Sequence, residues 1–98
     1  MPEKIKYPNF KEIEKKCKEK IKEKFPKYGN SWNDNFCIDW AWWEKRLQGE
    51  TDEIFNTIYP TERRDEIIDA INILAMMYQN NKKFVEWHYE EMRMGRHG

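Results

Sequence analysis

Residues 50–72 read ETDEIFNTIYPTERRDEIIDAIN. At their centre Tyr59-Pro60-Thr61 separates two segments of helical periodicity. Proline has no backbone donor and turns the preceding residue away from helical geometry, so one helix ends before Pro60. Thr61 is a residue type that caps the next helix. A connection this short sets the two helices antiparallel. Glu50 and Glu53, three apart and hence on one helix face, precede the turn. Glu66, Asp69 and Asn72 follow it at the same spacing. With a rise of ~1.5 Å per residue, Glu53 and Glu66 lie ~6–8 Å from the turn, and Glu50 and Asp69 ~10–12 Å. If the two faces point at each other, four carboxylates converge between two helices.

Such a patch does not stand unaided. Two like charges ~4 Å apart repel by about 4 kcal/mol at an effective dielectric near 20. Protonation, water or a cation must relieve them. An all-oxygen donor set suits a hard divalent ion, Mg2+ or Mn2+, over zinc or copper. Magnesium completes its shell with water and substrate phosphates, so the acids are read as ligands of a phosphate-holding metal. The other reading of the same spacing is a solvated acidic face, as is expected of Glu62 and Asp65 in the first turn after Pro60.

Outward from the hairpin the chain is helical throughout. The fold class is all-α: one domain over residues 1–98, a small bundle of about four helices. Asn9 with Glu12 three later forms a capping pair. Phe10, Ile13, Cys17, Ile21 and Phe25 then make a thin apolar stripe on a lysine-rich helix over about 9–25, which Pro26 ends. Residues 27–35, KYGNSWNDN, read as a loop. The hairpin occupies about 36–80, its first helix Phe36 to Ile58 and its second Glu62 to Asn80. Asn80-Asn81 marks a break before a last helix over about 82–94. The second hairpin helix is apolar on nearly all sides from Ile67 to Tyr78, which belongs to a helix covered on more than one face. In so short a chain a second copy supplies that cover, giving a homodimer or homotetramer.

Eighteen basic residues balance eighteen acidic ones, so no global field recommends nucleic acid as a partner. Ten Lys among the first 27 residues alternate with five Glu, which leaves nucleic acid an unlikely partner. Mean hydropathy is −1.11, and no run approaches the ~20 apolar residues of a membrane span. The expected location is cytoplasmic. Cys17 and Cys37 match no metal or redox spacing and read as reduced apolar residues. His88 and His97 read as surface residues.

The acids in their context, ExxE at Glu50 and Glu53 and then ExxDxxN at Glu66, Asp69 and Asn72 followed by the apolar run to Met77, resemble the MazG-like all-α NTP pyrophosphohydrolases. That superfamily includes dimeric dUTPases and small phage-type members. The likeness covers about residues 40–80. It departs at Gly49, where the family often carries a further acid. What it implies is hydrolysis of a (d)NTP between the α- and β-phosphates, giving (d)NMP and pyrophosphate, with Glu50, Glu53, Glu66 and Asp69 as Mg2+ ligands. One glutamate, Glu53 or Glu50, would serve instead as general base. Asn72 would position a water or a sugar hydroxyl, or simply bond a neighbouring helix. Trp43, two turns before Glu50 on one face, is placed to stack on a base or to pack in the core. Trp32 is a lid candidate, and Arg46, Lys45, Arg63 and Arg64 are phosphate-contact candidates. The competing reading is a non-catalytic helical oligomer.

Overall fold

The computed structural model describes residues 3–34 and 39–95. They form four helices and no strand: α1 Phe10–Tyr28, α2 Ser31–Asp34, α3 Trp40–Asn56 and α4 Pro60–Arg93. α3 and α4 make the hairpin and the most extensive interface, α1 packs on α4, and α2 rests on α4 further along.

α1 begins where the sequence predicts. The Asn9 side chain accepts from the Glu12 amide at 3.1 Å, satisfying one of the orphan donors of the first turn. Its end differs. The helix runs through Pro26 to Tyr28 and closes at Gly29, whose φ of 59° is glycine's own region and whose N–H reaches the Phe25 carbonyl. Proline's missing donor removes one bond of the last turn there, and the helix tolerates it. Its inward face also differs from the expected stripe. Ile13, Cys17 and Lys20 are the part-buried positions, whereas Phe10, Ile21 and Phe25 stay exposed. The helix is rolled so that lysine stems replace part of the apolar stripe against α4.

The segment expected as a loop contains α2, one helical turn. α3 starts later than expected, with the Asp39 side chain accepting from the Ala41 amide at 3.2 Å; Phe36 and Cys37 lie outside the described residues. α3 passes through Gly49 unbroken.

The hairpin turn, Thr57 to Tyr59, is held by an arginine. Arg63 donates from Nε to the Ile54 carbonyl and from its terminal nitrogen to the Thr57 carbonyl, so a side chain of α4 satisfies the last carbonyls of α3. Arg63 is thereby a hinge residue, not a free phosphate ligand. Thr61 does not cap α4: Tyr59 holds the N-cap position without a side-chain bond, and Pro60 sits at N1, where its missing donor is harmless.

The largest departure is at Asn80-Asn81. No break occurs, and the two expected helices are one helix of 34 residues. Asparagine disfavours helix by bonding its own backbone. Asn80 instead is 3% exposed and donates its amide to the Trp32 carbonyl at 2.9 Å. Beside it Lys83 reaches both the backbone and side-chain oxygens of Asn33. α2 is thus tied to α4 by Lys83 and by Asn80, which would otherwise interrupt the helix.

The buried apolar residues among those described are few: Trp43, Ile68, Ala70 and Ile73. Among the described residues α4 packs on α1, α2 and α3 along one side, and Ile67, Leu74 and Tyr78 are exposed. No helix among the described residues is long and apolar enough to cross a membrane.

Candidate metal centre

The hairpin brings one carboxylate oxygen each of Glu50, Glu53 and Glu66 within 4.8 Å of one another. Glu53 is exposed, while Glu50 and Glu66 are half-buried. Exposed acidic clusters are common; this one is distinguished by two oxygens. Oε2 of Glu50 and Oε2 of Glu66 are buried and receive no donor, an arrangement costly for a polar atom and more so for a charged one. Glu66 hydrogen-bonds Glu53, and that bond, then burial, then the charges of Glu53, Asp69 and Glu50 push its pKa up to about 7. Burial first, then Glu53 and Asp69, also push Glu50 upward, with Lys24 and Arg46 pulling partly back. Three carboxylates from two helices, two of which also carry a buried unsatisfied oxygen, fit a hard divalent cation.

Asp69 stands beside this triad rather than in it. Its Oδ1 accepts from Lys24 Nζ of α1 at 2.9 Å. Burial works against the Lys24 charge, but the bond to Asp69 and the charges of Asp69 and Glu50 outweigh it, and its pKa is raised. Of the four acids expected to converge, three do so and the fourth carries a lysine.

Glu50 and Asp69 also line a cavity of about 240 Å³, room for about eight waters at ~30 Å³ each. Phe25 and Tyr28 of α1, Trp32 of α2, and Trp42 and Trp43 of α3 wall it, with Lys20, Lys24 and Arg46 as cations at its sides. Trp43 is 0% exposed, so it is core as well as wall. Its ring meets Trp42 edge-on at 4.8 Å, and its indole nitrogen has no acceptor. The Arg46 guanidinium lies over the Trp42 ring at 5.6 Å, a cation–π contact. Asn72, 6% exposed, lines the cavity but donates its amide to the Cys17 carbonyl at 3.1 Å, the plainer of its two expected roles.

α1 is the part of the site that sequence spacing did not disclose. The sequence reading marks this helix only as lysine-rich and singles out neither Lys20 nor Lys24. The available signal was their register, since Ile13, Cys17, Lys20 and Lys24 fall on one face at spacings of four, three and four. His88, expected at the surface, is half-buried and stacked on Phe84. Cys17 is a part-buried free thiol whose pKa burial raises. Cys37 and His97 lie outside the described residues. Compared with known proteins, the chain matches no family model, no curated protein and no solved structure, so the MazG-like likeness rests on the acid spacing and its apolar context alone.

Proposed function

We propose that this chain is a Mg2+-dependent nucleoside triphosphate pyrophosphohydrolase acting at the Glu50–Glu53–Glu66 cluster. The observation that carries the reading is the pair of buried, donorless oxygens on Glu50 and Glu66, one of which belongs to a residue that also lines the aromatic cavity. Glu50 and Glu66 are the anchoring ligands, and a divalent ion held there supplies neutralisation of polyphosphate charge. Glu53, the exposed member of the triad, has the access to solvent that a general base toward water requires. Arg46 and Lys20 supply positive charge along the path from acids to cavity, and Lys24 becomes a phosphate contact when it leaves Asp69. The wall of Trp42, Tyr28 and Trp32 offers flat apolar surface against which a base stacks, and the Trp43 indole N–H awaits an acceptor.

The experiment is incubation of the purified chain with a panel of NTPs and dNTPs plus Mg2+, with pyrophosphate as the readout. Turnover of at least one nucleotide, lost in Glu53→Gln and in Glu66→Gln, supports the proposal. No pyrophosphate from any of them refutes it.

A second reading keeps a specific observation in its favour: Glu53 is solvated and Asp69 is already neutralised by Lys24. On that reading the chain is a non-catalytic helical oligomer. Mg2+ or Mn2+ then gives no thermal shift, whereas a site filled to ~10 times its Kd adds about 1.4 kcal/mol of stability.

A further inference from the structure

Along the chain the lysines and glutamates of α1 alternate, but around the helix axis they separate. At about 100° per residue, Lys11, Lys15, Lys18 and Lys22 fall within one arc of about 60° that holds no acid. Glu12, Glu19 and Glu23 fall on a neighbouring arc of their own. The face turned to α4 is a third arc, that of Ile13, Cys17, Lys20 and Lys24. Between it and the four lysines runs an apolar row that nothing covers: Phe10 is 63%, Ile21 36% and Phe25 50% exposed. Glu14 is the one acid in that row, and it is paired with Lys18 at 2.7 Å.

The segment that leads into α1 repeats the same two chemistries. Lys4, Ile5, Lys6 and Tyr7 alternate base and apolar group, with Ile5 75% and Tyr7 73% exposed. Residues 1–27 hold ten Lys against five Glu, a net +5, and since the whole chain is neutral the other 71 residues carry −5. The positive charge is thus concentrated on one helix and its approach. From Lys11 to Phe25 the lysine row and the apolar row run side by side over ~21 Å of helix. A helix lying in a membrane–water interface has this cross-section: apolar side chains enter the acyl boundary while lysine stems reach up to the phosphates.

We propose that α1 docks on an anionic lipid surface, lying flat with Phe10, Ile21 and Phe25 turned into the bilayer and the lysine row on the lipid phosphates. Charge complementarity selects anionic lipid over neutral lipid. The apolar row selects a bilayer over duplex nucleic acid, whose backbone offers phosphate but no apolar layer. No helix among the described residues is long and apolar enough to cross a membrane, so the contact is peripheral. Three apolar side chains give little depth by themselves, which makes the attachment reversible and dependent on the lysines. Ile21 and Phe25 also line the cavity, so one rim of the cavity lies beside the headgroups.

The test is co-sedimentation of the full chain with vesicles of phosphatidylcholine alone and of an equimolar mixture with phosphatidylglycerol. The chain should bind the mixed vesicles, and binding should weaken steeply as salt is raised toward ~1 M, where the Debye length is about 3 Å. Lys11→Gln/Lys15→Gln/Lys22→Gln removes three charges at roughly fivefold each, about a hundredfold in all. Phe10→Ser, outside the cavity, should weaken binding roughly tenfold. All four positions are exposed in the free chain, so the helical circular dichroism of both variants should match the parent's. No binding to mixed vesicles, equal binding to neutral ones, or full binding by the triple variant overturns the proposal. So does unchanged vesicle binding by Phe10→Ser with tight binding to an oligonucleotide, which reports a general contact with anions. Self-association without lipid that Phe10→Ser abolishes also overturns it, by giving the apolar row to a second copy. None of these readouts involves turnover, so they succeed or fail independently of the catalytic proposal.

Discussion

Binding of a divalent cation should expel a proton, in an amount set by the Glu66–Glu53 pair. A ligating carboxylate must be ionised. Glu66, with its pKa pushed up to about 7, is therefore about half protonated at pH 7, about nine-tenths at pH 6 and about one-tenth at pH 8. Those fractions are the protons released per site. The same equilibrium weakens the apparent Kd roughly fivefold from pH 7 to pH 6 and by less than about twofold from pH 8 to pH 7. The upward shift of Glu50 acts in the same direction. Calorimetric titration with Mn2+ in buffers of different ionisation enthalpy, at each pH, reads both quantities together. Glu66→Gln should bind more weakly and release almost nothing. A proton count near zero at pH 6, or a Kd flat across the range, would mean that the cluster is not the ligand set.

The metal-free protein should move the other way. Between about pH 4.5 and 7 the folded chain keeps a proton on Glu66 that the unfolded chain has given up, so stability falls as pH rises through that window. Glu66→Gln should therefore raise the thermal midpoint of the metal-free protein at pH 7.5 by several degrees, about 1 kcal/mol once solvent screening is allowed for; a lower midpoint contradicts this. Lys24→Met should tighten Mn2+ binding severalfold, because it frees Asp69 and removes a charge that competes with the ion; unchanged or weaker binding would show that Lys24 is not a counter-ion. Asn80→Ala should cost about 1–2 kcal/mol in denaturant unfolding by deleting the donor to the Trp32 carbonyl, and a neutral result would detach α2 from the stability of α4. Gly49→Ala should stabilise by about 0.5–1 kcal/mol, since a Cβ at that helical position meets nothing within 4 Å.

Those parts of the fold governed by local chemistry were legible in the sequence, and those governed by tertiary contact were not. The Asn9 cap, the turn ahead of Pro60 and the inward spacing of Glu50, Glu53 and Glu66 each follow from a residue's own backbone preference or from helical period. The errors have one common form. Pro26 and Asn80-Asn81 are helix-breakers by propensity, yet the helix continues through both. At Pro26 only one bond of a final turn is lost. At Asn80 a carbonyl from α2 takes the amide that would have bonded its own backbone. Propensity is a weak prior that a single buried hydrogen bond overrides. Lys24 was hidden for the opposite reason: nothing in a lysine-rich helix distinguishes the one lysine that finds a carboxylate 45 residues away.

The unbroken α4 also explains why carboxylates recur in the most apolar stretch of the chain. A helix with water on one side needs a single apolar face, but α4 has two, the inner one packed on α3 and an exposed outer one through Ile67, Leu74 and Tyr78. Glu66, Asp69 and Asn72 belong to the inner face, Ile67, Leu74 and Tyr78 to the outer, and the two sets interleave at every turn. Continuity past Asn80, obtained through the Trp32 carbonyl, ties α2, which lines the cavity, to the helix that carries Glu66 and Asp69. On this view, Asn80→Ala should loosen the Trp32 side of the cavity as well as lower stability, and iodide quenching of tryptophan fluorescence in the folded variant separates the two effects. Quenching equal to that of the parent chain would break the link.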